Sequence, residues 1–244
     1  TKGALPKVVS IEKTVDSSLF ETNLKYVIQI DQNGKKSDSK LIIESKLEHG
    51  FNYLLSGEIE GTATGKIEGP FTKEFKSLNK LFDTQIKLSA EDNLITDTKF
   101  VDLVANDGTE MKGISSHLEL TKADDTLKSN FKFNSLASAK MPDGQSAMKL
   151  TGFEMEYSGK IEAISNNHFS TKVNEIQSPF GSIKGISLSA DSTVASGNVG
   201  VNVSVKANKI DVPQLKDASV ELKYSIKNLD ESAIKALYEI GRKT

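Results

Sequence analysis

Apolar side chains recur at every second position along much of the chain. Leu24, Tyr26, Ile28 and Ile30 are separated by Lys25, Val27 and Gln29. A strand sends successive side chains to opposite faces, so this spacing predicts a strand with one buried face. Leu41, Ile43 and Leu47 form a return strand after Asn33-Gly34, a dipeptide that accepts positive φ in a tight turn. The plainest run is Val199, Val201, Val203 and Val205, and Val220, Leu222, Tyr224 and Ile226 repeat it. Shorter runs are Ile114-Ser116-Leu118-Leu120, Phe131-Phe133, Phe153-Met155-Tyr157 and Ile186-Leu188-Ala190. Turn signals lie between them: Asp107-Gly108, Pro142-Asp143-Gly144, Asn166-Asn167 and Ser196-Gly197-Asn198. Strands joined by short turns predict hairpins or a meander. One apolar face per strand fits an antiparallel sheet.

Two segments change period. Phe71, Phe75, Leu78, Leu81 and Phe82 follow helical spacing after Gly69-Pro70 and predict a helix over 72–82. Asn228 with Glu231 resembles a capping box ahead of Ile234, Leu237 and Tyr238, predicting a helix over 231–242. Gly57-Glu58-Ile59-Glu60 echoes in Gly65-Lys66-Ile67-Glu68 and in Gly159-Lys160-Ile161-Glu162, without a fixed period. No low-complexity linker divides residues 1–244, which read as a single β-rich domain. The expected class is mainly β: an elongated antiparallel sheet curled on itself (sandwich, open barrel or half-pipe) with two short helices. Two short helices are too few to cover the strands, so the sheet must bury its own apolar side or leave a groove. Val201, Val203, Val205, Leu222 and Tyr224 are the candidate apolar face, as a closed core or an open groove.

Composition narrows the chemistry. The chain has 244 residues with 37% hydrophobic and 26% charged, which indicates neither disorder nor an undersized core. Its net charge of −2 lacks the basic excess of a nucleic-acid binder. Of its 31 basic residues, only Arg242 is an arginine. With no Cys, thiol nucleophiles, thiolate metal sites and disulfides are excluded. The three histidines, His49, His117 and His168, share no metal-binding frame; His117 reads as an exposed strand residue, His49 and His168 as turn residues. Ser182 lies in Gly181-Ser182-Ile183-Lys184-Gly185, which is not a nucleophile elbow, and reads as a turn. Glu58/Glu60 and Glu154/Glu156 have strand spacing on a solvated face, and Asp124/Asp125 sits in a hairpin turn. Gly57, Gly61, Gly65 and Gly69 lack the Lys-Ser/Thr of a phosphate loop. No catalytic, cofactor-binding or metal-binding residue is expected, and no cofactor. No stretch approaches the roughly 20 apolar residues of a membrane span.

The tail 222–237, Leu-Lys-Tyr-Ser-Ile-Lys-Asn-Leu-Asp-Glu-Ser-Ala-Ile-Lys-Ala-Leu, resembles the YdgA-like family of Gram-negative envelope proteins. That family shows an alternating strand, a Lys-x-Asn/Asp-Leu-Asp-type segment and an Ala-Leu helix. Val9-Ser10-Ile11-Glu12 followed by Ser18-Leu19-Phe20-Glu21-Thr22 is similar to the family's Ser-Tyr-x-x-Gly-Leu-Phe-Ser-Ser segment, with Ile11 for Tyr and Ser18 for Gly. Ile67-Glu68-Gly69-Pro70-Phe71 resembles its His-Gly-Pro-Phe turn, with Glu68 for His. The resemblance implies a periplasmic body behind an inner-membrane anchor. Members are usually longer, so this chain would be the N-terminal half of one, its anchor on a segment absent here. The expected function is a non-catalytic periplasmic scaffold or binding module, with a lipid or an envelope protein as partner along the apolar face. The alternative is an envelope glycan or lipid hydrolase with a site assembled from distant strands.

Overall fold

The computed structural model describes residues 7–32, 35–139, 141, 147–160, 166–234 and 236. The expected turns at Asn33-Gly34 and Pro142-Asp143-Gly144 lie outside the described residues. The fold is mainly β, as the alternation requires. In chain order come β1 (Lys7–Ser17), β2 (Glu21–Gln32), β3 (Lys35–Glu48), helix α1 (Phe51–Ser56) and β4 (Ile59–Glu68). A 3-10 turn (Pro70–Glu74) precedes β5 (Phe82–Leu88), β6 (Leu94–Phe100), β7 (Leu103–Val104), β8 (Glu110–Lys112) and β9 (Ser115–Thr121). Then follow β10 (Thr126–Ala137), β11 (Lys149–Lys160), β12 (Asn167–Ser178), β13 (Gly181–Ala195), β14 (Asn198–Val212) and β15 (Leu215–Asp230). The registered pairs are antiparallel. Among the described residues no pair closes the order: β1 is bonded to β2 alone and β15 to β14 alone. Two compact units divide the chain, Thr1–His117 and Leu118–Thr244.

In the first unit β1 to β6 pair in chain order. Directly opposed residues share a face, so Ile11, Ile28, Leu41 and Ile67 make one apolar row. Tyr26, Ile43, Gly65, Phe82 and Phe100 make the next. Gly65 is needed there because a Cβ would lie 2.2 Å from the Phe82 ring, which packs edge-on against Phe100 at 5.8 Å. The helix expected over 72–82 does not form. Pro70–Glu74 makes a 3-10 turn, and Phe75 ends it in extended conformation. The cause is tertiary: Lys76 N–H bonds to the Val104 carbonyl, Asn106 N–H to that of Glu74, and Phe75 bridges Ala105. Phe82 then belongs to β5. The helix that does form, α1, lies where alternation stops. Gly57 at φ 70 closes it, donating to the Tyr53 carbonyl at 2.8 Å.

The second unit is a meander of long hairpins from β10 to β15. Ser196 and Gly197, both at positive φ, form the two-residue turn between Ala195 and Asn198 that the sequence marks. Pro179-Phe180 and Pro213-Gln214 make turns of the same length. Three rows cross its apolar face. Phe133, Phe153, Val173, Ile186, Ala207 and Val220 form the first. Phe131, Met155, Thr171, Leu188, Val205 and Leu222 form the second. Ser129, Tyr157, Phe169, Ala190, Val203 and Tyr224 form the third. Phe133 stacks on Phe153 at 4.8 Å and is only 7% exposed.

Beside the first row the pairing passes over one position in each strand from β10 to β14. Continued from the flanking pairs, the register aligns Asn134, Gly152, Asn174, Gly185 and Asn208. Gly152 and Gly185 have φ of 62 and 59. A Cβ on Gly152 would meet the amide of Asn174, and one on Gly185 the amide of Asn208, each within 2.2 Å. The asparagine side chain fills the space that glycine leaves, and glycine takes the left-handed φ at least cost. Beyond this line Leu136, Leu150, Ile176, Ile183 and Ile210 form another apolar row. The step from Phe133 to Leu136, or Ile186 to Ile183, is three residues instead of two. At the C-terminus residues 231–234 and 236 are helical, and the rest of the expected 231–242 helix lies outside the described residues. The cap is Asp230 rather than Asn228. Its carboxylate accepts from the Ser232 hydroxyl and from Ala233 N–H, the latter at 3.0 Å, and these bonds hold its pKa below the ordinary value. Asn228 is still in β15, at φ 60.

Candidate functional site

The residues singled out in sequence come together on β14 and β15. Val203 opposes Tyr224, Val205 opposes Leu222, and Val201 opposes Ile226. Their burial differs sharply. The β14 valines have a strand on each side and are half-buried, whereas among the described residues β15 has β14 on one side and no strand on the other. Leu222 is 63% exposed and Tyr224 64%. The apolar rows therefore start beside buried Phe133 on β10 and end on an open strand edge. None of the residues in the three rows is charged.

The opposite face carries the polar groups. Lys128, Ser158, His168, Asp191, Asn202 and Ser225 form one row. His168 Nδ1 lies 2.6 Å from Asp191 Oδ1, and Ser225 donates to Asn202 at 2.8 Å. His168 is thus a strand residue, not the turn residue expected. A serine, a histidine and an aspartate share this row, but His168 and Asp191 are 45% and 48% exposed, whereas acyl-transfer catalysis works in a water-excluded site. His117 Nδ1 meets Asp97 at 2.8 Å on an exposed strand face, as its position predicts. His49, beside Gly50, shares a 2.9 Å hydrogen bond with Thr22. Ser182 is in β13, opposite Gln177 and Asp211, not in a turn.

The carboxylate pairs are likewise engaged. Asn130 donates to both Glu154 and Glu156, and Ser170 donates to Glu156 at 3.2 Å. Glu58 pairs with Lys87 at 2.8 Å. Asp124 accepts from the Thr126 hydroxyl at 2.7 Å, which draws its pKa down and fixes the turn. In the first unit a cleft of about 420 Å3 includes Thr14, Asn23, Lys25, Glu44 and Lys46. Glu44 accepts from Lys25 and Lys66, each near 3 Å, and both lower its pKa. Among the described residues no group of three or more His, Asp or Glu could hold a metal ion. No helix among them is long and apolar enough to cross a membrane.

A family model described as a bacterial protein of unknown function, DUF945, matches residues 4–243. The chain belongs to DUF945. No curated protein and no solved structure matches it significantly.

The DUF945 chain has a second apolar surface that the alternation does not reveal. Leu19 and Phe20, between β1 and β2, are exposed, and so are Phe51, Leu54 and Leu55 of α1. The two segments adjoin: His49 N–H donates to the Phe20 carbonyl at 2.9 Å, and a Cβ on Gly50 would lie 3.7 Å from the Phe20 ring. The available signal is the uncharged run His49–Gly57 between Glu48 and Glu58, where period two lapses.

Proposed function

We propose that this DUF945 chain is a non-catalytic binding module of the cell envelope, and that the apolar face of the second unit holds a lipid acyl chain. One observation carries the reading: three uncharged rows run from the side of buried Phe133 to exposed Leu222 and Tyr224. A face of aliphatic and aromatic side chains without charge offers dispersion contact and burial, the contribution an acyl chain can use. The envelope setting, periplasmic and anchored to the inner membrane by a segment outside this chain, rests on the resemblance of tail and start to the YdgA-like proteins. A hydrolase is less well supported, because the candidate polar groups sit half-exposed on the other face.

The test is binding of a fluorescent palmitate. Wild-type protein binds it, and Leu222→Asp/Tyr224→Asp weakens binding at least about tenfold while the unfolding midpoint, taken at a concentration low enough to keep the chain monomeric, stays put, because both side chains are exposed in the monomer. Absence of binding by the wild type, or equal binding by the double variant, overturns the reading. Native mass spectrometry after gentle extraction gives a second readout: a co-purifying lipid supports it, and a stoichiometric envelope protein in its place overturns it.

A further inference from the structure

The open edge of β15 has a property that its apolar face alone does not require. We propose that β15 pairs antiparallel with β15 of a second copy, about a two-fold axis through Leu222. This concerns the strand edge and goes beyond the acyl-chain reading of the face.

Along β15 one side of the backbone bonds to β14, and among the described residues no strand pairs with the other side, which presents N–H and C=O groups for pairing. Natural edges are guarded by lysines, proline, bulges, inward-pointing charges or brevity; β15 has lysines on its polar side and register shifts toward both ends, and its stretch Val220–Ile226 is regular with no charge on the apolar side. Here the strand runs from Leu215 to Asp230, and between Val220 and Ile226 every even-numbered residue is apolar. Val220, Leu222 and Tyr224 are all exposed.

Charge then selects the register. A two-fold pairing that keeps apolar face with apolar face must centre on a single residue. Centring on Glu221 or on Lys223 sets like charges against each other, which is destabilising. Val220–Ile226 is the stretch of β15 whose register against β14 is unshifted, and within it centring on Leu222 sets Glu221 against Lys223, twice by symmetry. Val220 then faces Tyr224, and Leu222 faces itself. Centring on Val220 or on Tyr224 sets no opposite charges against each other within that stretch. The Glu221 and Lys223 side chains already meet within one chain at 2.9 Å, both at least half exposed. This pair can be shared across the axis without burying a bare charge. An isologous contact of this kind closes at two copies. It also joins the apolar rows of the two copies into one surface.

Sedimentation and cross-linking test the proposal on the full chain. Wild type is expected to sediment as a dimer at tens of micromolar. Glu221→Lys, which sets a second positive charge against Lys223, weakens dimerisation at least about tenfold, and Glu221→Lys/Lys223→Glu restores it. Far-UV circular dichroism checks that each variant is folded. The chain has no native cysteine, so a single introduced one reports cleanly. Leu222→Cys should give a bismaleimide-linked dimer, and Val15→Cys, on the β1 edge, should not. A monomeric wild type overturns the proposal, as does a dimer indifferent to Glu221→Lys or one linked through residue 15 and not 222. Palmitate binding by a monomer would sink the dimer and leave the acyl-chain reading standing.

Discussion

In the first unit the apolar rows cross four or five strands, α1 joins β3 to β4, a packed 3-10 turn lies between β4 and β5, and large exposed side chains fall both on the β1 edge, at Ile11 and Val15, and on a tip. In the second unit the rows run through six consecutive strands, β10 to β15, and their exposed members gather on an edge. The difference follows from the connections. From β12 to β15 the connections are two-residue turns, which carry few side chains to spare; Phe180 is the one large apolar residue exposed in them. Longer connections such as 49–58 place apolar residues outside the ladder. An edge offers backbone hydrogen bonds together with side chains, and a tip offers side chains alone.

The largest test of this contrast is inside the second unit. Phe133→Ala should cost about 3–5 kcal/mol in urea unfolding, the usual range for a buried phenylalanine, while Leu222→Ala, measured at a concentration low enough to keep the chain monomeric, should cost under about 0.5 kcal/mol, as exposed positions do. Equal losses would mean that burial does not fall off toward β15. Next, Gly185→Ala should destabilise by more than about 1–2 kcal/mol, the cost of a left-handed non-glycine residue, because its Cβ also strikes Asn208. Gly197→Ala should cost no more than that backbone contribution, since a Cβ there meets nothing within 4 Å.

A smaller effect concerns acid. Lys25 and Lys66 hold the Glu44 carboxyl below its ordinary 4.5, so its contribution is complete above that value and is lost as pH falls through the folded-state pKa. Glu44→Gln should therefore flatten the fall in urea midpoint below the ordinary carboxylate value; an unchanged slope would show that Glu44 does not set it. Smallest of all, Leu55→Ser on the tip should leave stability within about 0.5 kcal/mol and should lower binding of a hydrophobic dye.

Class and pairing direction are legible in sequence because period two is a direct image of one-sided burial. Val199 to Val205 and Val220 to Ile226 fall in adjacent strands with their apolar positions opposed. The helix over 72–82 fails because Phe75 and Leu78 are spaced by a loop that bonds to residues 104–106, a tertiary cause with no local mark. Asn228 mimics a cap because the strand's continuation to Asp230 depends on β14. The exposure of Leu222 and Tyr224 is not legible either: alternation says which face a residue takes, and only strand order says whether a neighbour covers it.

The asparagine–glycine line has a bearing on how the hairpins find their alignment. Val-x-Val-x-Val repeats can pair again after slipping by two residues, the shortest shift that keeps the same faces together. Between β13 and β14 such a slip would set Asn208 against Ile183 or Ser187, and neither leaves the space that Gly185 does. Between β11 and β12 it would move Asn174 to Leu150 or Glu154 and strip Gly152 of its cover. The β11–β12 and β13–β14 hairpins are each thereby keyed at one notch, and a ribbon slipped by two residues loses that fit.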